Sequence, residues 1–211
     1  MIKREERNKM KKSLILIILF VAVAIAFVLQ TNLFPKKEKE VVIKIDSNNV
    51  VYKTAVFANG CFWCVEHDLE EVKGVKEVIS GYSGGIGENP IYENYSEKGY
   101  REVVQVSYDE SVVSYSDLVE HILKHGDPTD SEGSFVDRGI QYSPAIYFEN
   151  DIEKKQAEVV IQKIKDLKVF DKEITIPVIK RAEFWPAEEY HQDYYKKNPL
   201  RYNYYRSRSG R

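Results

Sequence analysis

From Tyr52 onward the apolar residues switch repeatedly between a period of two and a period near 3.6, and that alternation restricts the fold more than any other feature. YKTAVFA (52–58) alternates and is β-branched, so it reads as a strand. Asn59-Gly60 signals a turn, and residues 61 to about 73 place Phe62, Val65, Leu69 and Val72 on one helical face. VKEVISGY (75–82) and EVVQVSYD (102–109) read as strands, and Tyr115 to Lys124 as a helix with Leu118, Val119 and Ile122 inward. Gly126-Asp127-Pro128 breaks it. PAIYFEN (144–150) is a strand and Ile152 to Leu167 a long helix. TIPVIKRA (175–182) is a last strand and AEEYHQDYY (187–195) a last helical turn or two. The order β-α-β-β-α-β-α-β contains the β-α-β-β-α-β unit of ferredoxin-like folds. It predicts an α+β two-layer sandwich with a mixed sheet.

Three segments surround this catalytic-sized domain at 51–199. Residues 3–12 are basic, and Leu14 to Leu29 is an apolar run of sixteen residues, roughly 24 Å as a helix. Residues 1–34 therefore read as an uncleaved anchor entering the bilayer through residues 14–34, with a cleaved secretory signal as the competing reading. The basic flank places the N-terminus in the cytoplasm and the domain outside. Residues 35–50 form a charged linker, with a short strand at Val41 to Ile45. The basic, aromatic segment 200–211 reads as a solvated or surface-draped tail, with contact to a membrane surface as a second reading. The net charge of −2 argues against nucleic acid as a partner.

The chain has two cysteines, Cys61 and Cys64. A strand, a tight turn and a helix put Cys61 at the helix N-terminus, where unpaired amides and the dipole favour an anion. That predicts a lowered pKa and raised reactivity for Cys61. Cys64 follows one turn later on the same face. Three readings stay open at this point. A static bridge would close so little chain that it would contribute little stability. A metal site would use Cys61, Cys64 and His67, but no second pair of zinc-ligand spacing accompanies them; His121 and His125 read as helix surface residues. Thiol redox chemistry fits the helix position. Phe62 and Trp63, bulky where a general disulfide oxidoreductase has small spacers, form a wall suited to a small apolar group such as an S-methyl.

Gly60-Cys61-Phe62-Trp63 resembles the active-site signature of the A-type peptide methionine sulfoxide reductases. The resemblance continues through Gly81-Tyr82 with Gly84-Gly85, Asn89-Pro90-Ile91-Tyr92, Glu102-Val103-Val104 and Tyr108-Asp109. It resumes at His125-Gly126-Asp127-Pro128-Thr129, at Asp137 to Tyr142 and at Pro186 to Tyr194, in family order across residues 52 to about 199. It implies reduction of the S-epimer of methionine sulfoxide, free or in proteins, a repair of oxidative damage. Cys61 then resembles the nucleophile and Glu102 the acid that protonates the departing oxygen. Tyr92 and Tyr142 resemble donors to the sulfoxide oxygen. Asp137 resembles a carboxylate that orders a water or a substrate amide, and Phe62 and Trp63 the methyl pocket.

Many family members carry glycine at the position of Cys64 and recycle through cysteines in a C-terminal tail. Here the tail has none, so Cys64 is expected to resolve the Cys61 sulfenic acid as a disulfide, or an external thiol to attack that acid directly. Two further departures are Gly99-Tyr100-Arg101 before Glu102 and a shortened loop from Tyr92 to Glu102. The resemblance implies no metal, nucleotide or flavin, a thioredoxin-like electron donor outside the membrane, and action as a monomer. A general C-x-x-C thiol–disulfide oxidoreductase is the alternative, and a membrane-tethered metal-binding module a third.

Overall fold

The computed structural model describes residues 51–211. The anchor or signal at 1–34 and the linker at 35–50 with its short strand lie outside the described residues. Among the described residues no helix is long and apolar enough to cross a membrane.

The elements follow the hydrophobic periods closely. β1 (Tyr52–Ala58), α1 (Phe62–Glu70), β2 (Val75–Ser83), β3 (Arg101–Asp109) and α2 (Tyr115–Lys124) come first. A short hairpin, β4 (Gly133–Ser134) with β5 (Asp137–Arg138), and a 3-10 turn at Ile140–Tyr142 precede β6 (Ala145–Phe148) and α3 (Asp151–Asp166). β7 (Val178–Lys180), β8 (Phe184–Pro186), α4 (Tyr194–Lys197) and α5 (Pro199–Ser209) complete the chain. Caps fix the two long helices. Ser114 and Asp117 form a reciprocal capping box ahead of α2, and the Asn150 side chain accepts from the amides of Ile152 and Glu153.

The main sheet runs β7-β6-β1-β3-β2-β8. Its inner four strands are the ferredoxin-like set, all antiparallel, while β6 and β7 are parallel, which makes the sheet mixed. The α+β class, the two layers and the β-α-β-β-α-β core are as the sequence predicts. The principal core lies between sheet and helices, with Phe57, Phe62, Leu69, Val104, Leu118, Ile122 and Ile146 buried in it. A smaller cluster around Val56, Val103, Ala145 and Tyr147 occupies the opposite face of the sheet.

Three segments depart from the expected pattern. The strand expected at 175–182 is confined to Val178–Lys180, because the amides of Thr175 and Ile176 bond instead to the Pro128 carbonyl at 2.9 and 3.0 Å. Residues 187–193 are turns rather than helix. Gln192 bonds Ser80 through both its amide groups at 2.9 and 3.0 Å, and Asp193 adopts a left-handed backbone with φ of 52°. Those side-chain bonds to β2 outweigh the local helical preference. The tail is an ordered helix on the surface: from Pro199 it forms α5, which lies across α1 with Tyr202 at 2% exposure while Leu200 and Tyr204 stay exposed.

Candidate active site

Cys61 is the N-cap residue of α1, held at the end of β1 by the Asn59-Gly60 turn. Gly60 has φ of 87°, and a Cβ there would fall 2.6 Å from that of Ser134, so the approach to Cys61 requires glycine. The Asn59 side chain ties the turn to α2 by donating to the Ile122 carbonyl at 3.0 Å. Cys61 is 6% exposed and Cys64 fully buried, both as free thiols.

Glu102 enters from β3 and is buried. One carboxyl oxygen accepts from the Phe62 amide at 2.9 Å, the other from the Tyr95 hydroxyl at 2.8 Å. Burial dominates these two donors and pushes its pKa up to about 8. A proton is therefore held on this carboxyl at neutral pH, beside the helix end that carries Cys61.

That geometry corrects the expectation for the two sulfurs. The free amide at the start of α1 is spent on Glu102, not on a Cys61 thiolate. Burial, the hydrogen bond with Cys64 and the Glu102 carboxyl all push the Cys61 thiol upward. Cys64 goes the other way, down to about 7, because Cys61 donates to it and Arg211 and Arg206 lie near, with burial opposing.

Of the residues singled out in the sequence, Phe62, Trp63, Tyr142 and Tyr92 gather around Cys61 and Glu102. Tyr142 lies near Tyr95, and both Glu102 and Cys61 act on its hydroxyl electrostatically. Tyr92 stands at the rim, 38% exposed, its ring 5.7 Å from Tyr95 and 4.5 Å from His191. Phe62 is buried, while Trp63 is part-exposed and fixed from two sides. Its indole stacks on Tyr194 at 3.7 Å and its Nε1 donates to His191 Nδ1 at 3.1 Å. Asp137 sits in the β4–β5 hairpin and accepts the Tyr205 hydroxyl from α5.

Several working neighbours carry no signal of their own in the sequence. Tyr95 lies in an aperiodic loop, and only its bond to Glu102 marks it. Glu188 holds the rim together by accepting from the Tyr82 hydroxyl at 2.9 Å and the Tyr92 amide at 2.8 Å. His67, weighed as a metal ligand, faces Asp68 and the rings of Tyr195 and Tyr202. The acidic side chains near enough to share a cation among the described residues are Glu66, Glu70 and Asp193, and Lys196 already bonds Glu70 and Asp193 at 2.5 and 2.7 Å.

Residues 53–211 match the family model described as peptide methionine sulfoxide reductase. The chain belongs to that family. It is 50% identical over 157 residues to peptide methionine sulfoxide reductase MsrA 2 of Rhizobium meliloti, covering 74% of this chain and 78% of the relative. It is 48% identical over 169 residues to the MsrA/MsrB reductase of Vibrio cholerae, covering 79% of this chain and 45% of that larger protein. Among solved structures, reduced Mxr1 of Saccharomyces cerevisiae superposes with a TM-score of 0.67 at 27% identity, over 75% of this chain and 91% of that one. Methionine sulfoxide reductase A of Corynebacterium diphtheriae gives 0.62 at 29% identity, over 71% and 76%. The family match includes α5, so the segment that closes over Cys61 and Cys64 lies within the reductase domain.

Proposed function

We propose that residues 51–211 reduce the S-epimer of methionine sulfoxide, free or in proteins, to methionine. Cys61 attacks the sulfoxide sulfur while Glu102 gives its proton to the sulfoxide oxygen. Oxygen is carried off as a Cys61 sulfenic acid and methionine departs. Cys64 attacks that sulfenic sulfur, and the oxygen leaves as water as the disulfide forms. A thioredoxin-like dithiol returns two electrons. Phe62 and Trp63 take the S-methyl, Tyr142 and Tyr92 donate to the oxygen, and Asp137 orders the peptide side of the substrate.

The observation that carries this reading is the Glu102 carboxyl, buried and protonated near neutral pH on the amide of the residue that follows Cys61. Purified protein should reduce the S-epimer of an N-blocked methionine sulfoxide and spare the R-epimer, with Cys61→Ser inactive. Turnover by Cys61→Ser, or equal use of both epimers, would overturn it. A general disulfide oxidoreductase is disfavoured by the family match over residues 53–211 and by the buried Glu102 carboxyl beside the helix end, which disulfide exchange does not need.

For location, the basic-to-apolar boundary at residues 3–29 supports a tether with the domain outside the cytoplasm. Membrane fractionation decides it: the intact chain should pellet with membranes at alkaline pH and dissolve in detergent.

A further inference from the structure

His191 stands where the aromatic walls of the site meet. Its ring centroid lies 5.0 Å from that of Phe62, 5.6 Å from Trp63, 4.5 Å from Tyr92 and 4.2 Å from Tyr190. The residue is 2% exposed, and its main-chain amide donates to the Glu188 carbonyl at 2.9 Å. Its neighbour Gln192 is tied to Ser80. The imidazole is therefore held both by its backbone and by its faces. The 3.1 Å bond from Trp63 Nε1 to His191 Nδ1 then fixes more than a distance. An indole nitrogen can only donate, so Nδ1 must present a lone pair and the one ring proton must sit on Nε2. That Nε2 is buried without a hydrogen-bond partner, 4.0 Å from Glu188 Oε2.

Trp63 depends on this bond. It is part-exposed, and Tyr194 stacks flat on its ring at 3.7 Å and 8°. A stacked face fixes the plane of an indole but not its rotation within that plane; the bond at its edge does that. A second proton on His191 would go to Nδ1, where an N–H would then meet the indole N–H, donor against donor. The bond exists only while the imidazole is neutral. The titratable groups that face the ring are Glu188 and the Tyr190 phenol from its own turn, and Tyr92 and Glu93 from the loop after β2. Burial pushes the imidazole below its ordinary pKa of 6.5, against the pull of Glu188 and Glu93.

We propose that His191 is a positioning residue of the reductase: through Nδ1 it sets the Trp63 wall of the S-methyl pocket, and protonating it releases that wall and weakens sulfoxide binding. The inference rests on the reading that Phe62 and Trp63 receive the S-methyl, and adds the residue that holds their spacing. The wall touches a group that does not react, so its loss weakens ground state and transition state alike and appears in KM rather than kcat. An indole free to turn also admits a longer S-alkyl group.

Two readouts test this, one of them independent of activity. The chain has two tryptophans, Trp63 and Trp185. In full-length protein isotope-labelled on its indole nitrogens, the Trp63 N–H resonance should move as pH falls below about 6.5 while that of Trp185 stays. His191→Asn places an amide oxygen near the Nδ1 position and does not titrate, whereas His191→Phe keeps a ring and removes the acceptor. The Trp63 resonance should be flat with pH in both variants and lie near its wild-type position only in His191→Asn. With the S-epimer of an N-blocked methionine sulfoxide, His191→Phe should raise KM about threefold to tenfold and leave kcat within about twofold. It should narrow the preference for S-methyl over S-ethyl sulfoxide by about the same factor, and His191→Asn should recover part of both losses. Wild-type KM should rise on the acid side of the imidazole titration, and that of His191→Asn should not. A Trp63 resonance indifferent to pH and to His191→Phe, a loss confined to kcat, or unchanged KM and alkyl preference in His191→Phe each overturns the proposal. Should His191→Phe melt well below wild type, His191→Asn decides: an acid rise in its KM equal to that of wild type overturns the proposal. Absence of sulfoxide reduction in wild type would remove the reaction and with it the positioning role, while the indole resonance still reports the bond between His191 and Trp63.

Discussion

Tyr95 donates its hydroxyl to one oxygen of Glu102 at 2.8 Å while the Phe62 amide donates to the other at 2.9 Å, and burial still holds the carboxyl at a pKa of about 8. Removing the Tyr95 donor takes a stabilising bond from the charged form, so Glu102 should become a still weaker acid. Tyr95→Phe is expected to move the alkaline limb of kcat/KM upward and lower its plateau by about fivefold to thirtyfold, the worth of about 1–2 kcal/mol. A pH–rate profile of the purified variant checks both.

In the proposed reaction Glu102 works in its protonated form. Wild-type kcat/KM should therefore be level through neutral pH and fall above about pH 8 as the proton is lost. Glu102→Gln keeps an acceptor for the Phe62 amide but supplies no proton, and should lower the rate by about 10²–10⁴ while abolishing that limb. Unchanged melting of the variant with lost activity distinguishes chemistry from folding.

Much of this site is legible in the sequence. Cys61, Phe62, Trp63 and Glu102 sit in stretches whose period fixes strand or helix, so their relative placement follows. Tyr95 is not legible, because the loop between β2 and β3 has no period and its register depends on which phenol reaches Glu102. Residues 187–193 read as helix because their composition is helical; Glu188 and Gln192 spend their side chains on Tyr82, Tyr92 and Ser80 instead. α5 carries few aliphatic residues, and tyrosine and arginine do not advertise a docked face until Asp68, Asp137 and Cys64 are seen opposite them. The lowered pKa expected for Cys61 is not found for a related reason: helix position alone does not reveal that the first amide is taken by Glu102.

Glu66 offers a stability test away from the chemistry. It is buried, accepts from Ser80 Oγ at 3.1 Å and the Asp193 amide at 2.9 Å, and burial raises its pKa to about 7. A carboxyl with a raised folded pKa binds more protons folded than unfolded, so its contribution is present below about pH 4.5 and lost as pH rises through about 7. Between pH 5 and 8 the wild type should lose on the order of 2 kcal/mol more than Glu66→Gln. Denaturant melts at the two pH values measure the difference.

Asp68 is the anion that fastens α5. In Asp68→Asn, Arg206 and Arg211 face an uncharged amide at 7% exposure of the native side chain. The loss is expected to be about 2–4 kcal/mol, concentrated in residues 199–211. Trypsin should then cut after Arg206 and Arg208 in the folded variant and leave the wild type intact over the same time.

Cys64→Ser should release one methionine per chain and then stall with a thioredoxin-like reductant, a burst without a steady state. Full steady-state turnover would show that an external thiol attacks the sulfenic acid directly.

The unequal exposure of the two sulfurs, 6% against 0%, also orders the recycling reaction. In the proposed cycle an incoming reductant should meet the Cys61 end of the bridge, so that the mixed disulfide forms there and Cys64 is the leaving thiolate. Departure is fastest for a sulfur of low basicity, and Arg211 and Arg206 favour the charged form of Cys64 electrostatically. The donor is thereby tethered through the residue nearest the emptied substrate pocket, and the next sulfoxide can bind only after it has gone.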